Sequence, residues 1–213
     1  MNFLQIGRKR FSEIVWGIID EKVEDYSYER LERILLAQHP LRAKATYKTG
    51  SVPYEDAVEL YKVANFFAPK VIVEVGTYIG VSTRTMREAV PSATIYTCDH
   101  SNDIDVCPED TQLFQYPNTP SSTMFADLAA KGIKADLIYL DGRLTPQDFE
   151  PLGKIITDNT VFVLDDFEGV EKGVANAMML ENAGRMLIYP REGRKTAVSF
   201  PLNLLQFVPQ EMT

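Results

Sequence analysis

The sequence predicts a doubly wound α/β domain, a mostly parallel sheet with helices on both faces. Three observations predict it. Short apolar runs of strand length do not alternate with polar residues, as strands buried on both faces read. They are Val71-Ile72-Val73, Ile95-Tyr96-Thr97-Cys98, Leu137-Ile138-Tyr139-Leu140 and Val161-Phe162-Val163-Leu164. Helical patterns separate most of them, which implies right-handed βαβ units. Strand-like runs at 186–189 and 196–200 are joined by Pro190-Arg191-Glu192-Gly193-Arg194-Lys195, a hairpin signal with a longer loop. The expected class is a Rossmann-like, mostly parallel sheet with a C-terminal antiparallel hairpin and an N-terminal helical extension.

Along the chain, Phe11, Ile14, Val15, Ile18 and Ile19 recur at helical spacing, as do Leu31, Ile34 and Leu35 after a Ser27 cap. His39-Pro40 closes the second helix, because a residue before proline avoids αR. Residues 1–48 read as the helical extension, with packing on the main domain as its simplest role and substrate covering or a subunit contact as alternatives. Residues 49–213 read as that main domain. Pro53 opens a helix whose apolar face is Ala57, Val58, Leu60, Tyr61, Ala64 and Phe67. Further helices are expected at 82–89, 121–131 and 146–157, the last broken at Pro151. A third strand around Leu113-Phe114-Gln115-Tyr116 follows residues 100–110, a polar stretch too short and too rich in turn formers for a full crossover helix.

Composition bounds the function. The 213 residues are 45% hydrophobic and 24% charged, ordinary for one globular domain with an extension at roughly 150 residues per domain. Lys and Arg total 22 against 30 Asp and Glu, a net charge of −8 that argues against a nucleic-acid backbone as partner. No apolar run approaches the ~20 residues of a membrane span. Apolar residues precede Arg8-Lys9-Arg10, the reverse of a signal peptide. Cys98 and Cys107 are too few for a disulfide framework. A cytoplasmic protein with no membrane partner is expected. His39 and His100 cannot alone supply a multi-histidine metal site, and Cys98, Asp99, His100 and Cys107 match no zinc spacing.

The most informative stretch is Val71-Ile72-Val73-Glu74-Val75-Gly76-Thr77-Tyr78-Ile79-Gly80-Val81-Ser82, in which a buried strand ends in an acid and two glycines lead into a helix. Gly76 permits a sharp turn and close approach of a ligand, and Gly80 a tight helix start. A phosphate P-loop fails, because Val81-Ser82 stand where Lys-Ser/Thr is needed. A dinucleotide loop is disfavoured, because Tyr78 stands where the middle glycine would admit a pyrophosphate. A nucleoside with a small charged tail fits better, its carboxylate on N–H groups and on the hydroxyls of Thr77 and Ser82. Asp99 stands 19 residues after Gly80 at the end of the second strand, placed for ribose hydroxyls.

Glu-Val-Gly-Thr-Tyr-Ile-Gly-Val-Ser-Thr at 74–83 resembles motif I of class I S-adenosylmethionine-dependent methyltransferases. Its Gly-Thr-x-x-Gly-x-Ser core is similar to the small O-methyltransferases in particular. The resemblance runs from about Val52 to Phe200, includes the terminal hairpin and leaves out the extension. It implies S-adenosylmethionine as cofactor, with Glu74, Gly76, Thr77, Gly80 and Ser82 around its methionine part and Asp99 at its ribose. Tyr78 and His100 complete the expected cofactor-binding set, although a polar loop explains His100 equally well. The stretch Asn118-Thr119-Pro120-Ser121-Ser122 matches the adenine-side region only by position, and no adenine contact is assigned there.

Two more strands end in acids, at Asp141-Gly142-Arg143 and Asp165-Asp166. Parallel strands deliver these to one sheet edge, where carboxylates repel unless protons, basic groups or a cation compensate. Oxygen-only ligands suit Mg²⁺ or another divalent ion. In metal-dependent catechol-type O-methyltransferases and the cephalosporin-hydroxylase-like group, acids at such places hold a divalent cation, and Asp141, Asp165 and Asp166 resemble that set. Acids that merely cap loops and helices are the alternative. Those families often carry a His or Lys soon after the first acid; here Arg143-Leu144-Thr145 stands there, so the usual proton acceptor is missing. The expected activity is methyl transfer to a small-molecule acceptor, at oxygen, with Asp141 as the catalytic residue through a bound cation or as direct proton acceptor. A binding module of the same fold without catalysis is the alternative, and a nicotinamide-dependent oxidoreductase is disfavoured. The acceptor is not legible, and a homodimer is among the assemblies left open.

Overall fold

The computed structural model describes residues 7–23, 52–101, 109–167 and 170–200. Helices α1 (Arg8–Lys22) and α2 (Tyr54–Phe67) precede β1 (Val71–Val75), α3 (Val81–Ala89), β2 (Thr94–Cys98) and β3 (Leu113–Tyr116). Then come α4 (Ser121–Ala130), β4 (Leu137–Leu140), α5 (Pro146–Ile155) and β5 (Val161–Leu164). A π-helical turn (Val170–Val174) runs into α6 (Ala175–Asn182), and β6 (Met186–Ile188) and β7 (Ala197–Phe200) end the series. The seven strands form one sheet in the order β3-β2-β1-β4-β5-β7-β6. Strands β1 to β5 are parallel, whereas β7 runs antiparallel to both β5 and β6. The architecture is the doubly wound, Rossmann-like one that the apolar runs predict, and the hairpin's second strand joins the parallel sheet.

The strands read as unbroken apolar runs because both faces are covered. Ile72, Leu137, Tyr139, Val161 and Val163 enter one core with helices α1, α2 and α3. Their neighbours Val73, Ile138, Leu140, Phe162 and Leu164 enter a second core with α4, α5 and α6. The period of two persists, but each face meets helices instead of water.

Helix α1 belongs to the first core. Phe11, Val15, Trp16, Ile18 and Ile19 are buried in it. Trp16 Nε1 donates to the Tyr189 carbonyl at 2.9 Å, and the Tyr189 N–H donates to Ser12 Oγ at 2.9 Å. The expected second helix of the extension, around Leu31, Ile34 and Leu35, lies outside the described residues, as does Cys107. The described residues between β2 and β3 form no helix, in keeping with their turn-rich sequence.

Two expectations are corrected. Glu74 does not end the first strand, which continues to Val75. Helix α5 is not broken at Pro151 but continues to Ile155. A proline removes one i→i−4 bond, and burial of Asp148, Leu152 and Ile155 holds the helix on either side of it. Thr145 supports its start, donating from its N–H and its hydroxyl to Asp148 Oδ2 at 2.6 and 2.7 Å. Among the described residues no helix is long and apolar enough to cross a membrane.

Candidate functional site

Sheet register assembles the site. Val75 is level with Cys98 and with Leu140, and Leu140 with Leu164. Gly76, Asp99, Asp141 and Asp165, each one residue further on, therefore leave the sheet along one line. At the same edge is a cavity of about 430 Å³, within the usual range for small-molecule sites. Gly76, Tyr78, Asp99, His100 and Asp141 line it; Glu74, Thr77, Gly80, Ser82, Asp165 and Asp166 do not. Another cavity, beside Phe66 and Lys70, carries none of these strand-end acids.

The glycine loop is folded around Asp99. Gly76 has φ of +99°, and a Cβ there would meet Asp141 Cβ at 3.2 Å, so a glycine lets the loop lie against the strand β4 terminus. Asp99 Oδ2 accepts the N–H groups of Thr77 and Tyr78 at 2.9 and 2.8 Å, and Oδ1 accepts the Ser101 N–H at 2.8 Å. The Thr77 N–H expected to meet a ligand carboxylate is thus held by the neighbouring Asp99 side chain. Three of a carboxylate's roughly four acceptor positions are filled. Tyr78 adopts φ of +44°, which turns its ring outward, 41% exposed at the cavity.

Glu74, Thr77 and Ser82 act beneath the loop. Glu74 is wholly buried, and its carboxylate accepts the hydroxyls of Ser82 at 2.6 Å, Thr83 at 2.5 Å and Thr97 at 2.6 Å. Because the Thr97 proton is committed to Glu74, the 2.5 Å contact between Thr97 and Thr77 runs from the Thr77 hydroxyl. The acid ties β1, β2 and the first turn of α3 together. Burial pushes its carboxyl up to about 7 against the three hydroxyls that favour its ionised form. Neither threonine nor serine is free to hold a ligand with its hydroxyl in this arrangement.

On the other wall, Lys172 from the π-helical turn donates to Asp141 Oδ1 at 3.0 Å and to Asp166 Oδ2 at 2.8 Å. Asp166 has φ of +52°. Burial raises the Asp141 carboxyl above the ordinary range, and the Lys172 ammonium partly offsets that. Burial opposes the charge on Lys172, but the two carboxylates outweigh it and hold the ammonium more firmly protonated than an ordinary lysine. Asp165 is buried, and its Oδ1 has no hydrogen-bond partner among the described residues. Burial and the neighbouring Asp141 and Asp166 charges push its carboxyl up. Asn176, on α6, donates to the Gly142 carbonyl at 3.1 Å and so braces the loop that follows Asp141.

The donor set does not fit the divalent cation expected of Asp141, Asp165 and Asp166. Among the described residues no three acidic, histidine or cysteine side chains are grouped to hold a metal ion. A basic group, Lys172, compensates Asp141 and Asp166, whereas burial and its acidic neighbours push Asp165 toward its protonated form. Sequence reasoning missed Lys172, whose only signal is a lysine six residues after the second acid of a strand-end pair. It also left Thr119 and Ser121 unassigned, and both line the cavity. Ser121 Oγ donates to Asp148 Oδ1 at 2.6 Å.

No family model and no curated protein matches the sequence. Solved structures do match in shape. An SAH-bound methyltransferase from Podospora anserina is 12% identical with a TM-score of 0.55, over 94% of this chain and 99% of that one. An O-methyltransferase from Bacillus cereus in complex with SAH is 14% identical with a TM-score of 0.57, over 91% and 98%. The fold is the one these methyltransferases share. The O-methyltransferase TomG from Streptomyces achromogenes, in complex with SAM, is 15% identical with a TM-score of 0.53, over 92% and 98%. At such identities the likeness is one of fold, and the chemistry rests on the residues described above.

Proposed function

We propose that this protein is an S-adenosylmethionine-dependent methyltransferase that acts on a small-molecule acceptor, at oxygen. The observation that carries this reading is the meeting of Gly76 and Asp99 with Asp141 in one cavity. Asp99 keeps one acceptor position for a ribose hydroxyl, and Gly76 and Tyr78 form the adjoining wall. S-adenosylmethionine, when bound, supplies a methyl group already activated on a sulfonium. The protein's part is then to align the acceptor and exclude water. Asp141, across the cavity from Asp99, is the group that takes the proton of an acceptor hydroxyl. No role for a divalent cation is included, because Lys172 is bonded to two of the three acids that would hold one.

Titration calorimetry with S-adenosylmethionine and S-adenosylhomocysteine tests the cofactor. Affinity in the micromolar range is expected, and no heat with folded protein ends this reading. A panel of phenols and sugars, followed for methyl transfer, then separates an enzyme from the alternative of a binding module. Asp141→Asn is expected to lower turnover at least 100-fold with cofactor affinity kept within a few-fold.

A further inference from the structure

We propose that Lys172 is the built-in cation of the acceptor site, standing where a divalent ion would otherwise bridge Asp141 and Asp166. The inference rests on the methyltransferase reading for its purpose but on the Lys172 geometry for its content. The ammonium lies 3.0 Å from Asp141 Oδ1 and 2.8 Å from Asp166 Oδ2, bridging carboxylates from the ends of two adjacent strands. Those bonds use two of its three N–H donors. Lys172 also lines the cavity, so the third donor is available to an acceptor oxygen there. As that oxygen gives up its proton, the fixed positive charge stabilises what remains, which is the electrostatic service a metal ion would perform.

The backbone holds the lysine in place. Lys172 sits in a π-helical turn, an uncommon element that recurs at functional sites. The next residue, Gly173, lies so close to the β5 terminus that a Cβ there would meet the Asp165 and Asp166 carbonyl oxygens at 2.6 Å. The turn is therefore seated on two of the three residues expected to hold a metal, Asp165 and Asp166. A divalent ion entering between Asp141 and Asp166 would meet the ammonium at close range and would have to expel it.

The test is a comparison of Mn²⁺ binding, followed by electron paramagnetic resonance, in wild-type protein, Lys172→Arg and Lys172→Gln. Circular dichroism establishes that each is folded. Wild type and Lys172→Arg, which keep the cation, are expected to bind Mn²⁺ at least tenfold more weakly than Lys172→Gln, which frees two carboxylates. Equal Mn²⁺ affinities across the three, whether tight or weak, would overturn the proposal. S-adenosylhomocysteine is titrated against the same samples. Its failure to bind wild type would remove the methyltransferase reading, while the Mn²⁺ comparison would still decide what Lys172 does.

Discussion

Gly173 rests against Asp165 with no room for a side chain: a Cβ on the glycine would sit 2.6 Å from the aspartate's carbonyl oxygen. Backbone cannot yield as the end of a flexible side chain can, so Gly173→Ala must displace the π-helical turn and Lys172 with it. A cost of about 1–3 kcal/mol is expected, a fall in Tm of roughly 2–12 °C for a chain of this size. Gly153→Ala, within α5, is the control, because nothing lies within 4 Å of its added Cβ. That change should be neutral or stabilising by up to about 1 kcal/mol. Similar melting of the two variants would show that the close approach imposes no constraint.

Asp99 both shapes the loop and faces the cavity, so its removal has two consequences. In Asp99→Ala the N–H groups of Thr77 and Tyr78 lose their acceptor. A nucleoside ligand loses a charged partner as well. Hydrogen bonds to charged groups contribute about 1.5–3 kcal/mol, so calorimetry should record S-adenosylhomocysteine binding weakened by roughly 10- to 150-fold. Asp99→Asn keeps a carbonyl for the loop and should retain more thermal stability than the alanine variant. Unchanged affinity in folded Asp99→Ala would take the ribose role away from this residue.

What was legible in the sequence follows from how each feature is encoded. Strand β4 announces itself because Leu137, Ile138, Tyr139 and Leu140 are all buried, and burial on both faces demands apolar residues throughout. Asp99 and Asp141 were legible because parallel strands deliver their C-terminal residues to one edge, whatever the loops do. Lys172 was not, because it reaches the site from a π-helical turn with no hydrophobic period and bonds across 31 residues to Asp141. Helix α6 was missed with it: Met178 is exposed beside buried Asn176 and Ala177, so the segment lacks a clean apolar stripe. Ser82 and Thr77 fit a ligand-binding motif by spacing, yet their hydroxyls are committed to a buried acid that spacing alone cannot orient.

Trp16 tests whether α1 is part of the fold or an appendage. Its ring is buried, and its N–H closes on the Tyr189 carbonyl just past β6. Trp16→Ala is expected to cost about 3–5 kcal/mol through the cavity it leaves, measured by urea unfolding. Trp16→Phe keeps most of the apolar area and loses the hydrogen bond, at about 1 kcal/mol. An alanine variant as stable as wild type would mean that the helix does not hold the hairpin.

Glu74 makes stability depend on pH in a direction opposite to that of a salt-bridged acid. Its carboxyl rises from an ordinary 4.5 to about 7 in the folded chain, chiefly through burial. Below pH 4.5 both folded and unfolded chains hold the proton, and the folded state carries no penalty. Between 4.5 and 7 the unfolded chain releases the proton while the folded one keeps it, so each step up in pH favours unfolding. Above 7 both are ionised and the loss is complete, on the order of 3 kcal/mol at 1.36 kcal/mol per pH unit. Asp141 and Asp165, also raised by burial, add slopes of the same sign, so wild type alone cannot isolate Glu74. Urea unfolding of wild type and Glu74→Gln from pH 4.5 to 7.5 does so by difference. The glutamine cannot ionise, so its curve should fall less steeply, and the stability of wild type relative to the variant should drop by on the order of 3 kcal/mol across that range. Parallel curves would mean that the three hydroxyls of Ser82, Thr83 and Thr97 already hold Glu74 ionised across the range.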